Sequence, residues 1–130
     1  MSAVVVGLGC RKGAPAPSIV ALVREALSRL PHAPDAITLY SSARKSGEAG
    51  LHDAAAALGY PLVLLDDAEL SAVESRIVTR SAKVRAAIGL DSVAEAAALA
   101  GGGPKAQILV ARMTSSDAAC AIAGDRGDDG

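Results

Sequence analysis

The chain has no Phe and no Trp, and Tyr40 and Tyr60 are its only aromatic residues. That argues against a nucleic-acid binder that stacks bases on aromatic side chains. Because 51% of the 130 residues are nevertheless hydrophobic, the core has to be built from Val, Leu, Ile and Ala. Cysteine is scarce as well: Cys10 and Cys120 are too few for a disulfide framework and lack metal-ligand spacing. His32 and His52 have no H-x-x-x-H or H-E-x-x-H partner, so the sequence predicts no metal and no cofactor. No apolar run reaches the roughly 18 residues of a membrane span, and the N-terminus does not read as a signal peptide. A cytoplasmic protein with no membrane partner is the expectation.

Net charge is also nearly absent, at −1, which argues against a general polyanion binder. Its distribution is uneven. Residues 1–45 carry Arg11, Lys12, Arg24, Arg29, Arg44 and Lys45 against Glu25 and Asp35, a net +4, and the remainder carries −5.

What is present starts with Val4-Val5-Val6-Gly7-Leu8-Gly9-Cys10-Arg11-Lys12-Gly13. Three β-branched residues predict a buried strand, and glycines at 7, 9 and 13 predict a loop that can turn sharply or approach a ligand. Pro15 and Pro17 suit a first helical turn, and Ile19, Val23, Ala26, Leu27 and Leu30 recur at helical spacing. Strand, glycine loop and helix together place free N–H groups and the positive end of a helix dipole beside Arg11 and Lys12, a setting for an anion. The spacing G-x-G-x-x-x-G is one residue longer than the dinucleotide fingerprint, Tyr40-Ser41-Ser42 stands where a ribose-binding acid would be expected, and no G-K-[ST] occurs. A tight turn with two solvated cations is the plain alternative. Cys10 reads either as a small residue fitting that turn or as a thiol with a lowered pKa.

Further along, residues 36–40 predict a second strand, 41–50 a polar loop with Arg44, Lys45 and Glu48, and 51–58 a short helix ended by Gly59. Residues 62–65 read as a fully buried third strand, and 66–73 as a helix capped by Asp66 or Asp67. Arg76, Arg80, Lys83 and Arg85, interleaved with Thr79 and Ser81, fit a solvated segment as well as a binding one. Asp91-Ser92-Val93-Ala94-Glu95 has the pattern of a capping box before a helix that Gly101-Gly102-Gly103 ends. Residues 107–111 and 118–123 predict an antiparallel hairpin at a sheet edge. The expected fold is α/β, a three-layer sandwich with a mostly parallel sheet and a C-terminal hairpin, in one domain over 1–123 with a flexible tail at 124–130. The loops after the first three strands face one side of such a sheet, which gathers three basic clusters at one rim. That rim suits a ligand of modest size with several carboxylates or phosphates.

Four motifs in order resemble one family: Val6 to Gly13 with Pro15; Lys45-x-x-Glu48-x-Gly50-Leu51; Ile88-Gly89-x-x-Ser92-Val93-Ala94-Glu95-Ala96-Ala97-Ala98-Leu99; and Ala121-Ile122-Ala123. Over residues 3–123 the chain resembles the CobE/CbiG C-terminal domain family of cobalamin biosynthesis, and within it the free-standing CobE type rather than CbiG with its additional N-terminal region. It departs from the family pattern at Ala111-Arg112-Met113, where Pro-Lys or a second cation would be expected. The resemblance implies a protein that handles a precorrin or corrinoid, a tetrapyrrole bearing many acetates and propionates, with other cobalamin biosynthesis enzymes as partners. Expected ligand-binding residues are Gly9, Cys10, Arg11, Lys12, Gly13, Arg44, Lys45, Gly50, Thr79, Ser81, Lys83 and Ser92.

A carrier or accessory role is the first reading. The second is a CbiG-like hydrolase that opens the ring A δ-lactone of a cobalt-precorrin and releases acetaldehyde, with Glu48 as candidate base and the N–H groups of residues 9–13 as oxyanion donors. A nucleotide-binding accessory protein is the third. An ion pair with Lys45 is the expected arrangement for Glu48.

Overall fold

The computed structural model describes residues 3–73 and 90–124, and all structural statements below concern these. The chain forms β1 (Ala3–Cys10), α1 (Ala16–Ser28), β2 (Ala36–Ser42), a 3₁₀ turn (Ala43–Lys45), α2 (Ala49–Leu58), β3 (Leu62–Leu65), α3 (Asp67–Ser71), α4 (Leu90–Gly102), β4 (Gln107–Thr114) and β5 (Ala118–Gly124). One open mixed sheet has the order β3-β2-β1-β5-β4. β1, β2 and β3 run parallel, whereas β5 is antiparallel to both β1 and β4. The α/β class, the parallel half and the terminal hairpin are those the sequence predicts. The hairpin's inner strand, however, lies beside β1 in mid-sheet.

Alternation along the strands divides the interior in two. Val4, Val6, Leu8 and Cys10 of β1 join Ala118, Cys120 and Ile122 of β5 in a cluster with Ile19, Val23 and Ala26 of α1 and Leu51 and Ala54 of α2. Ala119, Ala121 and Ala123 cluster instead with Ala94, Ala98 and Leu99 of α4. Every residue of β5 is buried.

β1 runs on through Gly7 and Gly9 to Cys10, so the glycine loop expected from residue 7 begins only at Arg11. Gly7 pairs with Tyr40 on one side and Ala121 on the other. It is glycine because α4 lies against it: a Cβ there would land on the Ala94 carbonyl oxygen and 2.5 Å from the Ala98 nitrogen. The glycine therefore serves a close backbone approach inside a strand. Gly13, at φ 78°, is the one that turns the chain.

Two further expectations are corrected. β3 is an edge strand, with Val63 38% exposed, because among the described residues no strand pairs with its outer side. Asp91 and Ser92 lie within α4 and not ahead of it, and Glu95 is fully buried, its Oε2 accepting the Arg112 N–H at 3.0 Å. A capping box forms at α3, where Asp66 and Glu69 bond each other's backbone N–H at 2.8 and 3.1 Å. The Arg76–Arg85 segment and the tail beyond Gly124 lie outside the described residues.

Both thiols face the interior. Cys120 donates to the Leu22 carbonyl at 3.7 Å, and burial pushes its pKa from the ordinary 9.0 up to about 12. Burial also raises Cys10, against the pull of Lys45, so the lowered pKa considered for it is reversed.

Gly7→Ala should cost at least about 3 kcal/mol, the upper range for overpacking, because backbone atoms of α4 cannot swing aside. Gly47→Ala, with nothing within 4 Å of its added Cβ, should leave the urea midpoint nearly unchanged. A folded-state pKa above the unfolded one means that the unfolded state binds fewer protons once pH exceeds 9.0. Stability from Cys120 is then full below that value and lost as pH rises toward about 12, by up to about 1.4 kcal/mol per pH unit. Urea unfolding at stepped alkaline pH should show this decline in the wild type and a shallower one in Cys120→Ala.

Candidate functional site

The carboxyl ends of β1 and β2 and the turn between β4 and β5 meet at one rim, because β5 runs antiparallel beside β1. The N-terminal ends of α1 and α2 start there. α4 runs opposite to β1, with Gly102 near Val5 and Ala94 and Ala98 at Gly7, so the Ser92 end of α4 points to the same rim.

Arg11 and Lys12 occupy the tip, both exposed. They sit in a four-residue turn closed by the Ala14 N–H bonding the Arg11 carbonyl at 3.0 Å, with Gly13 at its third position. A positive φ there is what a type II turn requires, and it selects glycine. The turn is held from two sides. The Asp117 carbonyl accepts the Arg11 N–H at 2.9 Å, and Glu48 Oε1 accepts the Gly13 N–H at 2.7 Å. Glu48 is the N-cap residue of α2, yet its side chain caps nothing in its own helix and reaches the neighbouring loop instead. Among the described residues it forms no salt bridge with Lys45, so the expected ion pair is replaced by this hydrogen bond. A carboxylate hydrogen-bonded to a main-chain N–H ties the two loops together. Gly50, in the first turn of α2, keeps them in contact: a Cβ would strike the Ala14 carbonyl oxygen.

Arg44 and Lys45 follow β2 in the 3₁₀ turn, which the Ser42 hydroxyl caps by accepting the Arg44 N–H at 3.1 Å. Arg44 bonds both oxygens of Asp67, at 3.0, 3.2 and 2.7 Å. That hydrogen bonding raises the Arg44 pKa and holds the Asp67 carboxyl below its ordinary 3.8. Arg44 thus stands at the rim as one half of an exposed ion pair with Asp67, beside the exposed Arg11 and Lys12 and the half-buried Lys45. Lys45 and Glu48 both act on the Cys10 thiol, in opposite directions, which places all three about the end of β1.

Of the other expected site residues, Gly9 and Cys10 are buried in β1 and meet the rim only through its backbone end. Thr79, Ser81 and Lys83 lie outside the described residues. Asp117, Ser18 and Asp67 are absent from the expected set. The first two would follow from placing the hairpin beside β1, since its turn then falls at the carboxyl end of that strand. Among the described residues no group of His, Cys, Asp and Glu could hold a metal ion, and no helix is long and apolar enough to cross a membrane.

Known proteins match this chain in sequence and in structure. The Protein CobE of Sinorhizobium sp is 36% identical over 121 residues, covering 92% of this chain and 79% of that protein. The crystal structure of CobE, a protein from the cobalamin biosynthetic pathway, superposes with a TM-score of 0.79 at 35% identity, covering 94% of this chain and 89% of that one. The cobalamin biosynthesis protein chiG from Agrobacterium tumefaciens gives a TM-score of 0.72 at 32% identity, over 95% of this chain and 98% of its own. The family described as cobalamin synthesis G C-terminus matches residues 4–123. With that match over nearly the whole chain, on a fold shared with two solved relatives, the protein belongs to the cobalamin synthesis G C-terminus family.

Proposed function

We propose that this cobalamin biosynthesis protein binds a polycarboxylate precorrin or corrinoid intermediate, such as a hydrogenobyrinic-acid-type tetrapyrrole, in a carrier or accessory role in the cytoplasm. The carrying observation is the tip itself: Arg11 and Lys12 are exposed on a turn whose backbone is already bonded to Asp117 and Glu48. Cations on a preorganised turn lose less freedom on binding, and each charge-assisted bond to a carboxylate is stronger than a neutral one. The two clusters on opposite sides of the sheet support a three-layer sandwich as the frame. Partners in this reading are the small molecule and the enzymes that make and consume it, with nucleic acid and membrane surfaces playing no part.

Glu48 is tied to the Gly13 N–H, which supports a structural use of this carboxylate over that of a general base. The buried Cys10, its thiol pKa raised, offers no nucleophile at the rim.

Titrating the protein with hydrogenobyrinic acid, followed by visible spectrum and product mass, should show binding without turnover. Replacing Arg11 and Lys12 together by alanine should weaken that binding by roughly 2–4 kcal/mol, at ~1–2 per charged hydrogen bond, with little change in melting temperature. The wild-type Kd should rise with added salt, because exposed cations act through a field screened over roughly 8–10 Å. Unchanged affinity in the double variant would reduce the tip to a turn.

Glu48→Gln keeps an oxygen for the Gly13 N–H and removes one negative charge. Its affinity should shift by no more than about 1 kcal/mol, the range of an exposed charge, with no turnover to lose. Acetaldehyde released from a ring A δ-lactone cobalt-precorrin by the wild type, and abolished by Glu48→Gln, would establish the hydrolase instead.

A further inference from the structure

We infer that Asp117, in the turn between β4 and β5, is a positioning residue for the cationic tip, setting ligand affinity through the backbone of Arg11 without touching the ligand. This rests on the binding role proposed above. Asp117 meets the segment between β1 and α1 at both ends. Its carbonyl accepts the Arg11 N–H at 2.9 Å, and its carboxylate Oδ2 accepts the Ser18 hydroxyl, in the first turn of α1, at 3.1 Å. The turn that carries it is itself closed. Ser115 N–H bonds the Ala118 carbonyl at 2.8 Å, and the Ser115 hydroxyl accepts the N–H groups of Asp117 and Ala118 at 3.3 and 3.2 Å. Asp117 is half-buried and sits where an antiparallel strand brings a rigid turn against the loop bearing both exposed cations.

Charge and geometry predict opposite signs for this residue. A carboxylate near the cations opposes an anionic ligand by like-charge repulsion, so as a charge alone Asp117 would weaken binding, and its removal would tighten it. As a clasp, Asp117 fixes the backbone from which Arg11 projects and spares the ligand the cost of ordering it, so its removal weakens binding. The bond from Ser18 indicates the second.

The test uses Asp117→Ala, Ser18→Ala, their double variant and Asp117→Asn, whose side-chain oxygen can still accept from Ser18. In the ligand-free protein, amide hydrogen exchange at Arg11 should accelerate in Asp117→Ala and Ser18→Ala and stay near wild type in Asp117→Asn. For hydrogenobyrinic acid, each alanine variant should raise Kd roughly three- to tenfold, the scale of one hydrogen bond. The double variant should be no worse than the worse single, and Asp117→Asn should bind as tightly as wild type or more so. Tighter binding by Asp117→Ala would make the residue a mere opposing charge and overturn the inference. Unchanged exchange in both alanine variants would overturn it too, as would faster exchange with unchanged Kd. Should Asp117→Ala fail to fold, Ser18→Ala reads the same bond from its other end. If the wild type binds no tetrapyrrole, the functional proposal falls, and the affinity part of this inference with it; the exchange arm still decides whether Asp117 holds the tip.

Discussion

The contact on which the rest of the structure depends is the approach of α4 to β1 at Gly7, where the helix backbone occupies the space of a side chain. A chain without Phe or Trp fills its core with small side chains, and small side chains let elements meet at backbone distance. Ala94 and Ala98 on α4 and Ala119, Ala121 and Ala123 on β5 are all of this kind. Gly101 continues the pattern against the Tyr40 ring. With α4 seated this closely, β1 stays extended past two glycines to Cys10. The chain then turns at Arg11, so both cations leave the sheet at its rim instead of lying along it.

That rim divides its labour by charge. Carboxylates and carbonyls hold backbone, while cations point outward. Glu48 holds Gly13, Asp117 holds Arg11 and Ser18, and Asp67 holds the Arg44 guanidinium. The near-zero net charge and the local basic character are thus compatible: Glu48 bonds main chain, Asp117 the Ser18 hydroxyl and Asp67 the Arg44 guanidinium, and Arg11 and Lys12 remain presented to solvent. Glu95, buried on α4, acts likewise at the far edge by bonding the Arg112 N–H. Arg112 lies between Val110 and Met113, where the pairing of β4 with β5 shifts register. Such an irregularity leaves main-chain groups for a side chain to satisfy.

Features governed by neighbours in the chain were legible in the sequence by itself. Pro15 and Pro17 at the start of α1, Gly59 at φ 78° after α2, the cap at Asp66 and the glycines closing α4 act over a few residues, and all appear where the local pattern places them. The α/β class, the parallel order of the first three strands, the hairpin and the four motifs of the family follow from the same short-range patterns and their sequence. The exposed pair Arg11 and Lys12 at a helix start was equally legible, because a turn with glycine at its third position is a local device. Tertiary structure alone decided the rest, each time because the deciding atom comes from far along the chain. Gly7 looks like a loop glycine until a helix some 90 residues later lies on it. Val63 looks like core until the sheet ends beside it, and Glu95 reads as a cap until β4 supplies its partner. The bond between Glu48 and Gly13 spans 35 positions and that between Ser18 and Asp117 spans 99. No pattern within a turn or two of chain records such pairings, since they depend on which strands become neighbours in the sheet.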